Sequence, residues 1–198
     1  MESERNDGKT EGEFSALFYN SKKFNLIENS SFWLSDTPDI PSKGWDASLN
    51  RICTYGLFED RATNKKLWLF NTHFDHQGVQ ARSNSTRLII EKINELNEAN
   101  YPVVFLGDLN LEPENEAIQY LSKKLVDTKT SNSKVTFGPE GTFNGFKFDK
   151  PVTRRIDYIF VSKKNVEVVK YAVLSDSKDL RYPSDHLPVY AEIILKEN

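Results

Sequence analysis

Four short stretches carry side chains able to do chemistry, each in or beside an apolar run: Asn71-Thr72-His73-Phe74-Asp75, Gly107-Asp108-Leu109-Asn110, Arg155-Ile156-Asp157-Tyr158 and Ser184-Asp185-His186-Leu187-Pro188. Carboxylates beside buried sequence are costly unless they are paired or hold a metal. Taken singly, each stretch has an ordinary reading, such as a histidine satisfied at a strand end or an aspartate that starts a turn. Taken together they provide a general base, a ligand for a hard cation, histidines and an amide donor. Those are the parts needed for metal-assisted attack on a phosphoryl group, where a cation offsets charge developing on oxygen and donors face the equatorial oxygens.

The elements that must position these groups are legible as hydrophobic patterns. Val103 to Asn110 is short, rich in β-branched residues and opened by Pro102. It predicts a buried strand whose C-terminal end presents Asp108 and Asn110, where α/β folds keep their ligands. Further strands are expected at Glu13–Tyr19 and Lys23–Phe32, joined as a hairpin through Asn20-Ser21, and at Arg51–Phe58, Lys66–His73, Ile156–Val161, Val166–Leu174 and Leu187–Leu195. Leu88, Ile89, Ile93 and Leu96 recur three and four apart, which predicts an amphipathic helix over Val79–Asn97. Pro113-Glu114-Asn115-Glu116 reads as the start of a second helix. Trp33–Leu49 and Thr128–Pro151 read as irregular, the latter with one short strand. Many strands with few helices predict an α/β (α+β) fold, with sheets packed face to face and helices outside.

The 198 residues, 38% apolar, suffice for one core, and a single domain over 1–198 is expected. No apolar run approaches the ~20 residues that span a bilayer. The acidic, polar N-terminus is unlike a signal peptide, so a cytoplasmic location is expected, or a secreted or periplasmic one had a leader been removed. A lone cysteine, Cys53, excludes an internal disulfide and a cysteine-rich zinc site, and its apolar neighbours make it a core residue. The formal charge of -3 argues against holding nucleic acid on a broad basic surface. It is compatible with a carboxylate-lined metal site, whose ion supplies the local positive field.

In this order and at these spacings, the four stretches resemble the endonuclease/exonuclease/phosphatase superfamily, from about Gly12 to the C-terminus. The resemblance implies two packed mixed sheets in a four-layer α/β/β/α sandwich and hydrolysis of a phosphodiester or phosphomonoester, with Mg²⁺ as cofactor and Mn²⁺ as a substitute. It implies that Asp108 orients or deprotonates the attacking water, that Asn110 hydrogen-bonds the phosphoryl group, and that His186, positioned by Asp157, contacts the scissile phosphate. Asp185 would help to bind Mg²⁺, His73 would be a second phosphate contact, and Arg51 and Asn71 would lie on the substrate side.

Members of the superfamily usually begin with a strand carrying a metal-side Asn and a later strand ending in a Glu that binds Mg²⁺; this chain shows neither. The expectation is a domain lacking the N-terminal strands of one sheet, with weakened metal binding and an open edge that self-association would cover. The competing reading is a catalytically silent binding or interaction member of the same fold. Substrates implied are a phosphorylated small molecule or nucleic acid. Phe32–Pro38 with Gly44–Ala47 resembles a bacterial-type subgroup with poorly defined or sugar-phosphate-like substrates. The rim aromatics Trp33, Trp45, Phe143, Phe146 and Phe148, with Lys43, Lys147, Lys150, Arg154 and Arg155, read either as loop anchors or as stacking surfaces.

Overall fold

A computed structural model of the chain describes residues 4–131, 133 and 135–196. The fold is mixed α+β with two mixed sheets and few helices, and the chain divides into two compact units, Met1–Asn110 and Leu111–Asn198. In the first unit, β1 (Phe24–Trp33), β2 (Ile52–Asp60) and β3 (Lys66–His73) pair antiparallel in sequence order, and β4 (Val103–Asp108) adds parallel to β3. A parallel neighbour needs a crossover, which α1 (Val79–Leu96) supplies. β2 is buried on both faces, with Ile52, Cys53, Thr54, Leu57 and Phe58 all inside, and Tyr55 stacks on Phe70 at 5.6 Å. Cys53 is fully buried, and burial pushes its thiol pKa well above the ordinary range.

Helix α1 buries Ala81, Ser85, Thr86, Ile89, Ile90 and Ile93. Its N-cap is Gly78, which has no side chain to offer; the Asp46 carboxylate instead accepts from the Ala81 N–H at 2.7 Å and the Gln80 N–H at 3.1 Å.

The strand expected over Glu13–Tyr19 does not form. Phe14 makes one isolated bridge to Glu4, and residues 15–20 are irregular. β1 takes its ladder from β2, from Phe24↔Asp60 to Trp33↔Ile52, so no hairpin partner is required at Asn20. The turn itself is present, with the Lys23 and Phe24 N–H groups both donating to the Asn20 carbonyl. Phe14-Ser15-Ala16-Leu17-Phe18-Tyr19 lacks the polar–apolar alternation that fixes which face of a strand goes inward, and Phe18 is 91% exposed.

The second unit contains α2 (Glu116–Lys124), β5 (Val126–Asp127) paired antiparallel with β7 (Asp157–Val161), and a sheet in the order β6 (Val135–Phe137), β8 (Val166–Val173), β9 (Val189–Leu195). In that sheet β6 runs parallel and β9 antiparallel to β8. Helix α2 starts at Glu116, later than Pro113, because Asn115 is the residue whose side chain can accept the Ala117 N–H, at 3.0 Å. A bulge between Val168 and Lys170 shifts the register of β8 against β9, which lets Val168 and Tyr171, an odd number of residues apart, both be buried. Tyr171 and Val173 pack there with Val152 and Leu187. The two-residue β5 is too short to leave any periodicity in the sequence. No helix among the described residues is long and apolar enough to cross a membrane.

Candidate active site

In the first unit the parallel register of β3 with β4 sets His73 opposite Asp108. His73 Nε2 lies 3.2 Å from Asp108 Oδ2, with the carboxylate mostly covered and the ring partly exposed. Two features let the strands come this close and then turn. Gly107 has φ 147°, and a Cβ there would stand 1.9 Å from the Thr72 carbonyl oxygen, so only glycine fits. Asn110 then adopts φ 50°, a left-handed conformation that asparagine tolerates. Its backbone N–H donates to Asp108 Oδ1 at 2.8 Å, and its side-chain amide donates to the Phe74 carbonyl at 3.0 Å. The Phe74 N–H in turn donates to the Asp108 carbonyl at 2.9 Å. Buried Leu109 anchors the turn.

The loop after β3 is organised by Asp75, which is 2% exposed. Its Oδ1 accepts from the Gln77 and Gly78 N–H groups and its Oδ2 from Ser48 Oγ and the Leu49 N–H. Burial pushes the Asp75 pKa up, but these donors outweigh it and hold the carboxyl well below the usual range. Arg51, also buried, points Nε at Asp75 Oδ2 from 3.6 Å and places Nη2 3.3 Å from His76 Nδ1. Its Nε and Nη1 lie outside hydrogen-bond reach of any acceptor among the described residues. With Arg5, Glu13, Phe14, Ser15, Ile52 and His73 it lines a cavity of about 10 Å³. Burial and the nearby Arg5 charge both lower the Arg51 pKa, against the pull of Asp75. Arg5 in the same lining is paired with Glu13 at 2.6 Å. Asn71, expected on the substrate side, instead donates its amide to the Ala16 carbonyl at 3.0 Å and ties down the irregular 15–20 segment.

In the second unit His186 Nδ1 donates to Asp157 Oδ2 at 2.8 Å. A carboxylate only accepts, so this contact fixes a proton on Nδ1. The residue that holds Asp157 is Thr142, fully buried on the 141–145 loop. Its hydroxyl donates to Asp157 Oδ2 at 2.5 Å while accepting the Ile156 and Asp157 N–H groups, each at 3.1 Å. The loop is clamped on both sides: Thr142 and Phe143 N–H donate to the Arg154 carbonyl, Asn144 and Gly145 N–H to the Asp185 carbonyl, and Leu187 N–H to the Thr142 carbonyl. Phe143 meets the His186 ring edge-on at 5.1 Å, under the Arg154 guanidinium. Sequence reading missed Thr142. One threonine in a Gly-Thr-Phe loop carries no spacing signal, and its role is visible only from what its hydroxyl touches.

Asp185 is half-buried, and its side chain receives a 3.5 Å contact from Ser184 Oγ. Oxygen donors of this kind suit Mg²⁺ or Mn²⁺ rather than a soft metal. Arg155, from the third sequence stretch, is structural: it is buried in an ion pair with Asp127 and lies over the Tyr158 ring at 4.4 Å. Of the rim aromatics, Trp33 anchors a loop by donating to the Arg5 carbonyl and Trp45 by donating to Asp36, whereas Phe146 stays 65% exposed.

Comparisons with known proteins identify the family. The family model described as the endonuclease/exonuclease/phosphatase family matches residues 16–186. A mannosyl-6-phosphatase from Bacteroides thetaiotaomicron is 40% identical, with a TM-score of 0.93, over 98% of this chain and 76% of that one. An endonuclease/exonuclease/phosphatase from Bacteroides vulgatus is 33% identical, with a TM-score of 0.91, over 99% and 76%. The human Nocturnin catalytic domain, at 18% identity and a TM-score of 0.68, shares the fold. An uncharacterized protein of Acanthamoeba polyphaga mimivirus is 35% identical over 122 residues, and the match spans 59% of this chain and 41% of that relative's length. The chain belongs to the endonuclease/exonuclease/phosphatase family.

Proposed function

We propose that this chain hydrolyses a phosphate ester with the help of Mg²⁺, and that its substrate is a small phosphorylated sugar. The observation that carries the hydrolytic reading is the His186–Asp157–Thr142 chain, in which a carboxylate held by a buried hydroxyl fixes the tautomer of a histidine. A structural histidine has no need of so complete a support. The substrate reading rests on 40% identity to a mannosyl-6-phosphatase and on the formal charge of -3, which disfavours a long polyanion.

The geometry of each unit and family membership support the following roles. Asp108, with Oδ1 occupied by the Asn110 N–H and Oδ2 beside His73, acts as the base that takes a proton from water. His73 and the Asn110 amide donate to the phosphoryl oxygens, His186 does so from Nε2 in its doubly protonated form with Nδ1–H given to Asp157, and the Arg51 guanidinium stabilises the same charge. Asp185 would contribute a carboxylate oxygen to a bound metal. Bound there, Mg²⁺ would supply the positive charge that offsets charge developing on oxygen.

The test is hydrolysis of a chromogenic monoester and diester by the 198-residue chain with Mg²⁺ or Mn²⁺ and with chelator, with Asp108→Ala as control. Metal-dependent turnover that is lost in the control supports the reading. A folded chain that turns over neither ester is the silent binding member instead.

A further inference from the structure

Residues 4–14 fold back on themselves as a tight hairpin. Phe14 bridges Glu4, the Asn6 N–H donates to the Glu11 carbonyl at 3.0 Å, and Asp7 Oδ1 closes the turn by accepting the Lys9, Thr10 and Glu11 N–H groups. Arg5 fastens this strap to the body of its unit: its carbonyl accepts from the Trp33 indole at 2.7 Å and from the Asn50 amide at 3.3 Å. Gly8 lies so close to the Trp33 ring that a Cβ there would stand 2.9 Å from it. The strap thus holds the Arg5 and Glu13 side chains against the cavity that Arg51 and His73 line.

The charges around that cavity are unevenly covered. The Arg5 side chain is 11% exposed and that of Arg51 5%, whereas the side chain of Glu13, which pairs with Arg5 at 2.6 Å, is 65% exposed. Arg5 Nε, Arg51 Nε and Arg51 Nη1 are all buried and outside hydrogen-bond reach of any acceptor among the described residues. Buried guanidinium groups with unused N–H donors are costly, and they suit an oxyanion that accepts several bonds at once. An ion pair with so exposed a partner is worth little, so the Glu13 carboxylate leaves for water easily. Its charge nevertheless reaches Arg51: burial and Arg5 lower the Arg51 pKa, while Asp75 and Glu13 raise it. The cavity measures about 10 Å³, close to one water molecule, so a larger anion enters only where Glu13 has left.

We propose that Glu13 is a displaceable counter-ion, and that the substrate's phosphate takes its place on Arg5 and Arg51 as a dianion, which selects phosphate monoesters over diesters. This deepens the hydrolytic reading and rests on it, since that reading puts the phosphate at His73. Charge decides between the esters. Glu13 brings one negative charge to the two guanidinium groups. A diester also brings one, so the exchange adds no attraction, whereas a monoester above a pH of about 6 brings two. The phosphates inside a nucleic-acid strand are diesters and fall on the disfavoured side.

The test reads binding apart from hydrolysis. Methyl phosphate and dimethyl phosphate are each titrated into the ¹⁵N-labelled chain with chelator present, at about pH 8, where the monoester is a dianion. The side-chain Nε–H signals of Arg5 and Arg51 are the readout. Both are expected to shift with methyl phosphate, and dimethyl phosphate should bind at least about tenfold more weakly, in line with a weaker charge-assisted contact. Glu13→Gln removes the competing charge and keeps the side-chain size. Methyl phosphate should then bind about fivefold more tightly, and KM for phenyl phosphate with Mg²⁺ should fall by the same factor at unchanged kcat. Arg5→Ala should weaken methyl phosphate by about tenfold, and Arg5→Lys should restore part of the loss. Were the Arg5–Glu13 pair only a staple of the hairpin, Glu13→Gln would lower the Tm and leave binding unchanged or weaker. That result, equal binding of the two esters, or no shift at Arg5 overturns the inference even in an active enzyme. The expected binding in a chain that cleaves no phosphate ester upholds the exchange at Glu13 and overturns the hydrolytic reading.

Discussion

At His73 and Asp108 the polar groups are placed by a parallel strand ladder, one residue opposite the other. At Asp157 and His186 they are placed by a single hydroxyl, Thr142, buried on an irregular loop. The ladder spreads the work of positioning over many backbone hydrogen bonds, whereas the loop concentrates it in one side chain. The first arrangement should therefore fail through the backbone and the second through the loss of one oxygen atom.

The largest expected effect is direct. His186→Ala should lower turnover by about a thousandfold, the range for a group that stabilises charge or transfers a proton, with little change in stability because the ring is part-exposed. Unchanged kinetics would remove His186 from the chemistry. Next comes the backbone of the other region. Gly107→Ala places a methyl group on the Thr72 carbonyl, and should destabilise the chain by about 3 kcal/mol in urea unfolding. A stable Gly107→Ala variant would mean that the strand ends are not held by close approach.

Thr142→Val tests the single-oxygen claim. It should cost about tenfold to a hundredfold in kcat, Thr142→Ser should restore most of it, and its effect should largely vanish in an Asp157→Asn background, since both act through His186. Full additivity in the double variant would break the coupling. The smallest effect concerns Asp75, whose support of the loop after β3 depends on its charge. Its folded pKa is lowered below the ordinary carboxylate value of about 4, so the stabilisation is complete above that value and is lost as the pH falls below it. Asp75→Asn should flatten the acid limb of the stability curve; an unchanged acid limb would show that the cluster carries no charge-dependent support.

The same contrast explains what could be read from the sequence. β3 was legible to the residue, and β4 and α1 nearly so, because apolar periodicity reports burial. Their polar ends followed as a matter of counting, and so did His73, Asp108 and Asn110. His186 and Asp157 were legible by type and by resemblance to the family. Thr142 was not, because a buried hydroxyl bonded to a distant carboxylate leaves no local pattern. Asn71 shows the reverse case. Its place near His73 suggested a substrate contact, yet the irregular 15–20 segment needs a donor and takes its amide. The failed strand at Glu13–Tyr19 has the same root, since apolar content without alternation does not say which neighbour will supply a ladder.

The most direct test of the central claim is the turnover of mannose 6-phosphate by this chain with Mg²⁺, with chelator, and in Asp108→Ala. Hydrolysis is expected to require the metal and to fall by about a thousandfold or more in the variant. Equal turnover in the variant, or hydrolysis indifferent to chelator, would contradict it.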